Sequence, residues 1–316
     1  MEPIGGYFEL ELRKGEHYHK NAIRLNTARN CFEYVLRTRN YKKVYVPYYT
    51  CEVMLEPIKK LGIGYEFYSI NAFLEPVDQY ALKGGEAFLY TNYFGLKQDC
   101  VKRLAKVYGV QLIVDNAQAF YAEPIQGIDT FYSARKFFGV PDGGYLYTEA
   151  KLNQVFEQDV SFNRMSHLLK RIDLGAEFGY LDFRVNDDSL CNSDIKLMSN
   201  LTQAVLSSVD YEVAKQKRRN NYSIIDAALG KSNLIEIGFE EEAVPMIYPY
   251  LTNDENLRMK LIENKVFVAM YWPNVMEWCE PEDYERRIAR NMVCFPVDQR
   301  ISEVEIRKMI ELVFSD

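Results

Sequence analysis

Between residues 25 and 115 the chain changes its hydrophobic period again and again, and that alternation leaves few folds open. Leu25-Asn26-Thr27-Ala28-Arg29-Asn30 opens a helical stretch that runs to about Thr38. Val44 to Pro47 reads as a strand, Cys51 to Leu61 as a helix stopped by Gly62, and Tyr65 to Ile70 as a strand. Ala87 to Thr91 is a strand, Cys100 to Tyr108 a helix closed by Gly109, and Gln111 to Asp115 a strand. Short strands alternating with helices of this kind build α/β folds with a mainly parallel sheet. Strands this short and apolar suit a sheet covered on both faces.

After Lys136 the pattern changes. Gly143-Gly144 precede a strand at Tyr145 to Thr148, and residues 150 to 195 are polar and mixed. A helical pattern then runs from about Ile195 to Leu229, with Leu197, Leu201, Ala204, Val205 and Val209 at helical spacing and Gly230 as its stop. The remainder reads as a separate α+β lobe. Its strands are expected near Val244 to Tyr250, Val266 to Met270 and Met292 to Phe295, and its helices near Asn256 to Asn264 and Glu303 to Phe314. No glycine- or serine-rich tether intervenes, so the long helix is expected to join a large domain, residues 1–228, to a small one, residues 229–316. A chain of 316 residues is long enough for two such units.

Composition narrows the function. Hydrophobic residues at 48% with charged residues at 26% exclude a disordered chain. The apolar runs are too short to span a bilayer. A net charge of −7 is a poor start for binding nucleic acid. The opening Met1-Glu2-Pro3-Ile4-Gly5-Gly6 has neither a basic region nor an apolar stretch, so a cytoplasmic protein is expected. Cys31, Cys51, Cys100, Cys191, Cys279 and Cys294 are scattered without a C-x-x-C pair, which reads as reduced, mostly buried thiols. His17 and His19 would share a face if they lie on a strand, but with His167 they complete no metal-ligand set. No metal site is expected.

The window that carries chemistry is Val114-Asp115-Asn116-Ala117-Gln118-Ala119-Phe120, followed by Ser133-Ala134-Arg135-Lys136 and Asp142-Gly143-Gly144. Asp115 closes an apolar strand, and the carboxyl edge of the sheet is where α/β proteins place ligands. Lys136 follows in a short loop between strands. Pyridoxal 5'-phosphate (PLP) chemistry needs these two groups: a lysine amine to condense with the cofactor aldehyde, and a carboxylate to keep the pyridine nitrogen protonated. Singly, each has an ordinary reading: Asp115 as a turn cap, Lys136 as a surface lysine, Gly143-Gly144 as a tight turn.

Together they resemble the DegT/DnrJ/EryC1/StrS sugar aminotransferases, PLP-dependent enzymes of fold type I. Val114 to Phe120 is similar to the family's Glu-Asp-Ala-Ala-Gln-Ala segment, and Lys136, Asp142, Gly143 and Gly144 have the spacing of its lysine, acidic residue and two glycines. Leu25 to Asn30 resembles its phosphate-binding helix start, and Tyr93-Phe94-Gly95 its Leu-Tyr-Gly. Met198 to Ala204 through Arg218-Arg219-Asn220-Asn221-Tyr222 resembles its long helix, and Phe295-Pro296-Val297 with Ile301-Ser302-Glu303 its closing segment. The order is collinear over residues 20–150 and 195–316.

The resemblance implies a seven-stranded, mainly parallel sheet flanked by helices, a smaller C-terminal lobe and a homodimer. It implies that Lys136 binds the cofactor and moves the proton, that Asp115 pairs with the pyridinium nitrogen, and that Gln118 faces the phenolic oxygen. Thr27, the Ala28 N–H and Ser133 would hold the phosphate, as a helix N-terminus readily does. The implied activity moves an amino group from an amino acid, glutamate by preference, to a nucleotide-linked keto sugar. The family's sugar dehydratases carry histidine in place of this lysine, which Lys136 argues against.

Three departures stand out. Phe131 occupies the position five before the lysine where the family has serine, leaving Ser133. Cys51 replaces the family's aromatic residue after Pro47-Tyr48-Tyr49-Thr50, so Tyr49 is the candidate to stack on the cofactor ring. Residues 152–193 depart most; Asn163 and Arg184 stand where the family reaches its partner subunit, although a surface insertion reads equally well. These departures motivate a second expectation, a binding or regulatory subunit of a surface-polysaccharide pathway. A nicotinamide-dependent Rossmann enzyme is disfavoured, since no Gly-x-Gly-x-x-Gly follows a strand.

Overall fold

The computed structural model describes residues 4–240 and 242–315; Met1 to Pro3 of the opening hexapeptide lie outside these. Strand β1 (Ile23–Leu25) leads into helix α1 (Ala28–Arg39). Thr27 caps that helix, its hydroxyl oxygen accepting the Asn30 N–H at 3.0 Å, and Asn40 ends it in the left-handed conformation at φ 53°. There follow β2 (Lys43–Pro47), α2 (Leu55–Lys60), β3 (Gly64–Tyr68), β4 (Glu86–Thr91) and α3 (Gln98–Tyr108). Then come β5 (Leu112–Asn116), β6 (Asp129–Ser133) and β7 (Gly144–Tyr147). These strands form one seven-stranded sheet in the order β1-β7-β6-β5-β4-β2-β3. Only β7 runs against its neighbours. The sheet is thus mainly parallel, as expected. Strands β1 and β6 are additional to those read from the sequence: β1 is only three residues, and β6 mixes Asp, Thr and Ser with two aromatics, which hides its period.

Each inner strand divides its side chains between two cores. Val44, Val46, Leu89, Ile113, Phe131 and Leu146 pack beneath α1 and α2 with Phe32 and Val35. Tyr45, Phe88, Tyr90, Val114, Tyr132 and Tyr145 belong to the opposite, aromatic core. This is period-two alternation with both faces covered, which explains why the strands read as continuous apolar runs. It also accounts for Phe131: its ring stacks on Phe32 at 5.6 Å and is fully buried.

The mixed segment after β7 contains a helical hairpin, α4 (Ser166–Asp173) and α5 (Ala176–Ser189). The single helix expected from Ile195 to Leu229 is two, α6 (Asn200–Ser208) and α7 (Tyr211–Leu229). Val209 is extended between them, and the Asp210 carboxylate accepts the Val213 N–H at 3.1 Å, so a new N-cap restarts the helix. The C-terminal lobe holds β8 (Ile247–Leu251), α8 (Leu257–Glu263), α9 (Val275–Trp278), α10 (Tyr284–Asn291), β9 (Met292–Pro296) and α11 (Glu303–Phe314), with β8 and β9 antiparallel. The strand expected over Val266 to Met270 does not form. Lys265 turns the chain at φ 62°, and Ala269 alone bridges to Cys294. No helix among the described residues is long and apolar enough to cross a membrane.

Candidate active site

The carboxyl ends of β4, β5 and β6 meet the N-terminus of α1 at one edge of the sheet. Thr91 and Asp115 are register partners at the ends of β4 and β5. They share the parity of Leu89 and Ile113, so both face the α1 side. Asp115 is 4% exposed. Its Oδ1 accepts the Ala117 N–H at 2.8 Å, which fixes the carboxylate. Burial pushes its pKa up to about 6, against the opposing pull of the Ala117 N–H and the Lys136 charge.

Lys136 ends the 3-10 turn Ala134–Lys136 that follows β6. Its side chain is exposed, not buried. Its Nζ lies 5.2 Å from the centre of the Tyr271 ring and 6.0 Å from that of Trp272. The C-terminal lobe therefore supplies an aromatic wall to the lysine. The Asp-Gly-Gly that follows has a packing reason at each position. Asp142 is fully buried and accepts from the Ser199 N–H at 2.8 Å, the Ser199 hydroxyl at 2.7 Å and the Thr202 hydroxyl, pinning the lysine loop to the start of α6. Gly143 adopts φ 121°. A Cβ on Gly144 would fall 2.6 Å from the Thr27 carbonyl atoms and 2.8 Å from the Ala28 nitrogen. Only glycine lets β7 come this close to the start of α1.

That approach places Ser133. It is paired directly with Gly144, and paired residues in an antiparallel ladder project to the same side. The Ser133 side chain thus faces Thr27 and Ala28. The Thr27 oxygen accepts from Asn30, so its own proton is free to be donated. The structure brings Thr27, Ala28 and Ser133 together at the start of α1, donors that could hold an anion, with Asp115, Gln118 and Lys136 at the same sheet edge.

Gln118 is almost fully buried. Its Oε1 accepts the Phe94 N–H at 3.2 Å, while its Nε2 has no hydrogen-bond partner. A buried donor without an acceptor is costly in a chain on its own, and it fits a group that brings one. These observations meet the demands of PLP: donors for an anion, a buried carboxylate and a free buried donor.

Tyr49 is set back. It is fully buried, with Tyr93 at 5.6 Å and Trp272 at 5.0 Å across its ring. Cys51 lies within the field of Lys136, whose charge opposes the upward push of burial on the thiol. Thr91, Tyr271 and Trp272 are the site neighbours that sequence reasoning missed. The two aromatics carry no local signal, because only the docking of the C-terminal lobe brings them to the lysine.

Elsewhere, His17 and His19 lie in irregular chain before β1, not on a strand. His17 Nδ1 bonds the Tyr145 hydroxyl at 2.6 Å, and His19 Nε2 donates to the Phe120 carbonyl at 2.7 Å. Asn163 and Arg184 are exposed on the segment that carries the hairpin. Among the described residues no cluster of three metal-ligating side chains occurs.

No family model matches the chain, and no curated protein matches it in sequence. Solved structures do. A DegT/DnrJ/EryC1/StrS aminotransferase from Brucella abortus is 14% identical with a TM-score of 0.60, covering 92% of this chain and 84% of that one. The sugar aminotransferase CalS13 from Micromonospora echinospora is 13% identical with a TM-score of 0.63, covering 92% and 86%. Spr1654 from Streptococcus pneumoniae, in its PLP form, is 15% identical with a TM-score of 0.61, covering 92% and 85%. At these identities the likeness is one of architecture, and this chain has the fold of the DegT/DnrJ/EryC1/StrS aminotransferases.

Proposed function

We propose that this chain is a PLP-dependent aminotransferase that carries an amino group from an amino acid, glutamate, to a keto sugar linked to a nucleotide, in the synthesis of a surface polysaccharide or related sugar. The observation that carries the reading is the convergence of Lys136, buried Asp115 and the Thr27–Ala28–Ser133 cradle on one sheet edge of a fold shared with aminotransferases. The sugar as substrate class rests on relatives such as CalS13, a sugar aminotransferase.

When bound, PLP supplies an electron sink for the bonds at the amino-bearing carbon. The chain's residues do the rest. The Ala28 N–H at the start of α1, with the Thr27 and Ser133 hydroxyls, would hold the phosphate in a favourable helix dipole. The Asp115 carboxylate, kept in place by the Ala117 N–H, would hold a proton at the pyridine nitrogen. Gln118 Nε2, without a partner in the chain, would donate to the phenolic oxygen. Lys136 Nζ would serve as the base that takes the proton from the donor's α-carbon and as the acid that gives it back. Tyr271 and Trp272 flank the lysine amine on the side of the C-terminal lobe. Tyr49, packed against Tyr93 and Trp272, is retained as the candidate aromatic neighbour of the cofactor ring.

The protein is further proposed to work as a cytoplasmic homodimer, with the division at residues 228 and 229 separating its two domains. Supporting the dimer, Ile172, Leu174, Phe178, Leu181 and Val185 of the hairpin region are each more than half exposed, an apolar surface that a second copy would cover.

The deciding experiment is the visible spectrum of the purified protein with PLP, before and after borohydride, followed by peptide mapping. A yellow band bleached by borohydride with the label on Lys136 is expected, and Lys136→Ala is expected to lose both the label and the release of keto acid from glutamate. No band and an unlabelled Lys136 would overturn the reading in favour of a non-catalytic subunit.

A further inference from the structure

Arg218 lies in the middle of α7 and is 1% exposed. Among the described residues it forms no ion pair. Its guanidinium instead joins three separate parts of the chain. Nη2 donates to the Phe137 carbonyl at 3.3 Å, Nη1 to the Pro245 and Met246 carbonyls at 3.3 and 3.1 Å, and Nε to Gln299 Oε1 at 3.1 Å. Gln299 in turn donates from Nε2 to the same Phe137 carbonyl at 3.0 Å. The guanidinium carbon also lies 4.5 Å from the centre of the Phe137 ring. Phe137 is the residue immediately after Lys136.

Two of these attachments belong to the C-terminal lobe. Pro245 and Met246 lead into β8, and Gln299 follows β9. The lobe that places Tyr271 and Trp272 against the Lys136 amine is therefore tied, through one planar cation, to the backbone on which Lys136 stands. A guanidinium suits this task, because its fixed fork addresses several carbonyls at once and its flat face rests on an aromatic ring. A charge buried among carbonyls, with only the Asp298 carboxylate attracting it from beyond ion-pair distance, is an expensive way to fill space, and a hydrophobic side chain would serve a merely structural purpose.

We infer that Arg218, with Gln299, is a positioning clamp that sets Lys136 against the aromatic wall of the C-terminal lobe. The inference deepens the aminotransferase reading and rests on it for the meaning of Lys136, but the clamp itself is testable without cofactor. Arg218 touches no reacting atom; it acts through Phe137.

The test uses the full-length chain and two variants. Arg218→Lys keeps the charge and loses the fork and the flat face. Gln299→Leu removes one of the two donors to Phe137 and the acceptor of Arg218 Nε while keeping the Arg218 bonds to Phe137, Pro245 and Met246, so it serves even where Arg218→Lys fails to fold. Hydrogen exchange is measured on the cofactor-free proteins, and then the rate and pH midpoint of Lys136 labelling by PLP and borohydride. Amides of residues 134–140 are expected to exchange about 10-fold faster in the variants while those of β4 and β5 keep wild-type protection. The labelling rate of Lys136 is expected to fall about 10-fold, with a displaced pH midpoint. Unchanged exchange at 134–140, or a uniform loss of protection across the sheet, would overturn the clamp. Absence of label on wild-type Lys136 would instead sink the aminotransferase reading, and the exchange at 134–140 would still decide the clamp.

Discussion

Replacing Asp115 with asparagine is expected to make the cofactor-free protein more stable and the cofactor useless to it. The carboxylate is 4% exposed, and burial lifts its pKa from 3.8 to about 6. The fold therefore favours the protonated acid. That contribution is fully present below pH 3.8 and is lost as pH rises through 6; above that the protein carries a buried anion at a cost of about 3 kcal/mol, at 1.36 kcal/mol per unit. Asparagine keeps an oxygen to accept the Ala117 N–H, now 2.8 Å from Oδ1, and brings no charge. Urea unfolding of the cofactor-free proteins should show Asp115→Asn more stable by up to about 3 kcal/mol at pH 7.5 and by little at pH 4. With PLP the order should reverse: wild type gains stability from binding, while the variant has no carboxylate to hold the pyridinium proton and gains far less. A gain of the same size at both pH values would refute the burial argument. A variant that PLP stabilises as much as wild type would refute the assignment of Asp115 to the pyridine nitrogen.

Gly144→Ala is expected to destabilise by about 1–3 kcal/mol, because the added methyl meets Thr27 and Ala28 backbone that cannot swing aside; PLP titration should show weakened binding in step, since the same atoms form the cradle. His17 and His19 are held neutral by burial, each with a pKa lowered to about 4. Their contribution is fully present above pH 6.5 and is lost as pH falls through 4, so His19 alone should remove about 3 kcal/mol over that window, and His19→Gln should flatten the pH dependence in urea unfolding. Phe178→Glu with Leu181→Glu should convert a dimer to a monomer in sedimentation without loss of helix content; an unchanged sedimentation coefficient would remove the hairpin from the interface.

The architecture was legible because its signal is local. The strands at Val44, Ala87 and Leu112 announce themselves by apolar runs, and the helices between them by period and by stops at Gly62 and Gly109. Asp115 was legible as the end of such a strand, and Lys136 by its distance from a glycine pair. The break at Val209-Asp210 was harder, because apolar spacing continues across it and only the Asp210 cap reveals it. The meeting of the residues proposed to hold the phosphate was legible in part: Thr27 and Ala28 sit at a readable helix start, while the case for Ser133 needed the β6–β7 register that sets it opposite Gly144.

What the sequence by itself determined was the order of elements and the residue types at the sheet edge, since period, caps and turn residues act over a few neighbours. What only the tertiary structure decided was which distant groups share a volume. Tyr271 and Trp272 reach Lys136, and Arg218 reaches Phe137 and Gln299, across separations of 81 residues or more in chain order. For Met246 the separation is 28 residues, but it too crosses from one lobe to the other. No local pattern encodes such meetings. They follow from the packing of the C-terminal lobe on the aromatic core, where close-packed interiors leave each side chain one place to go.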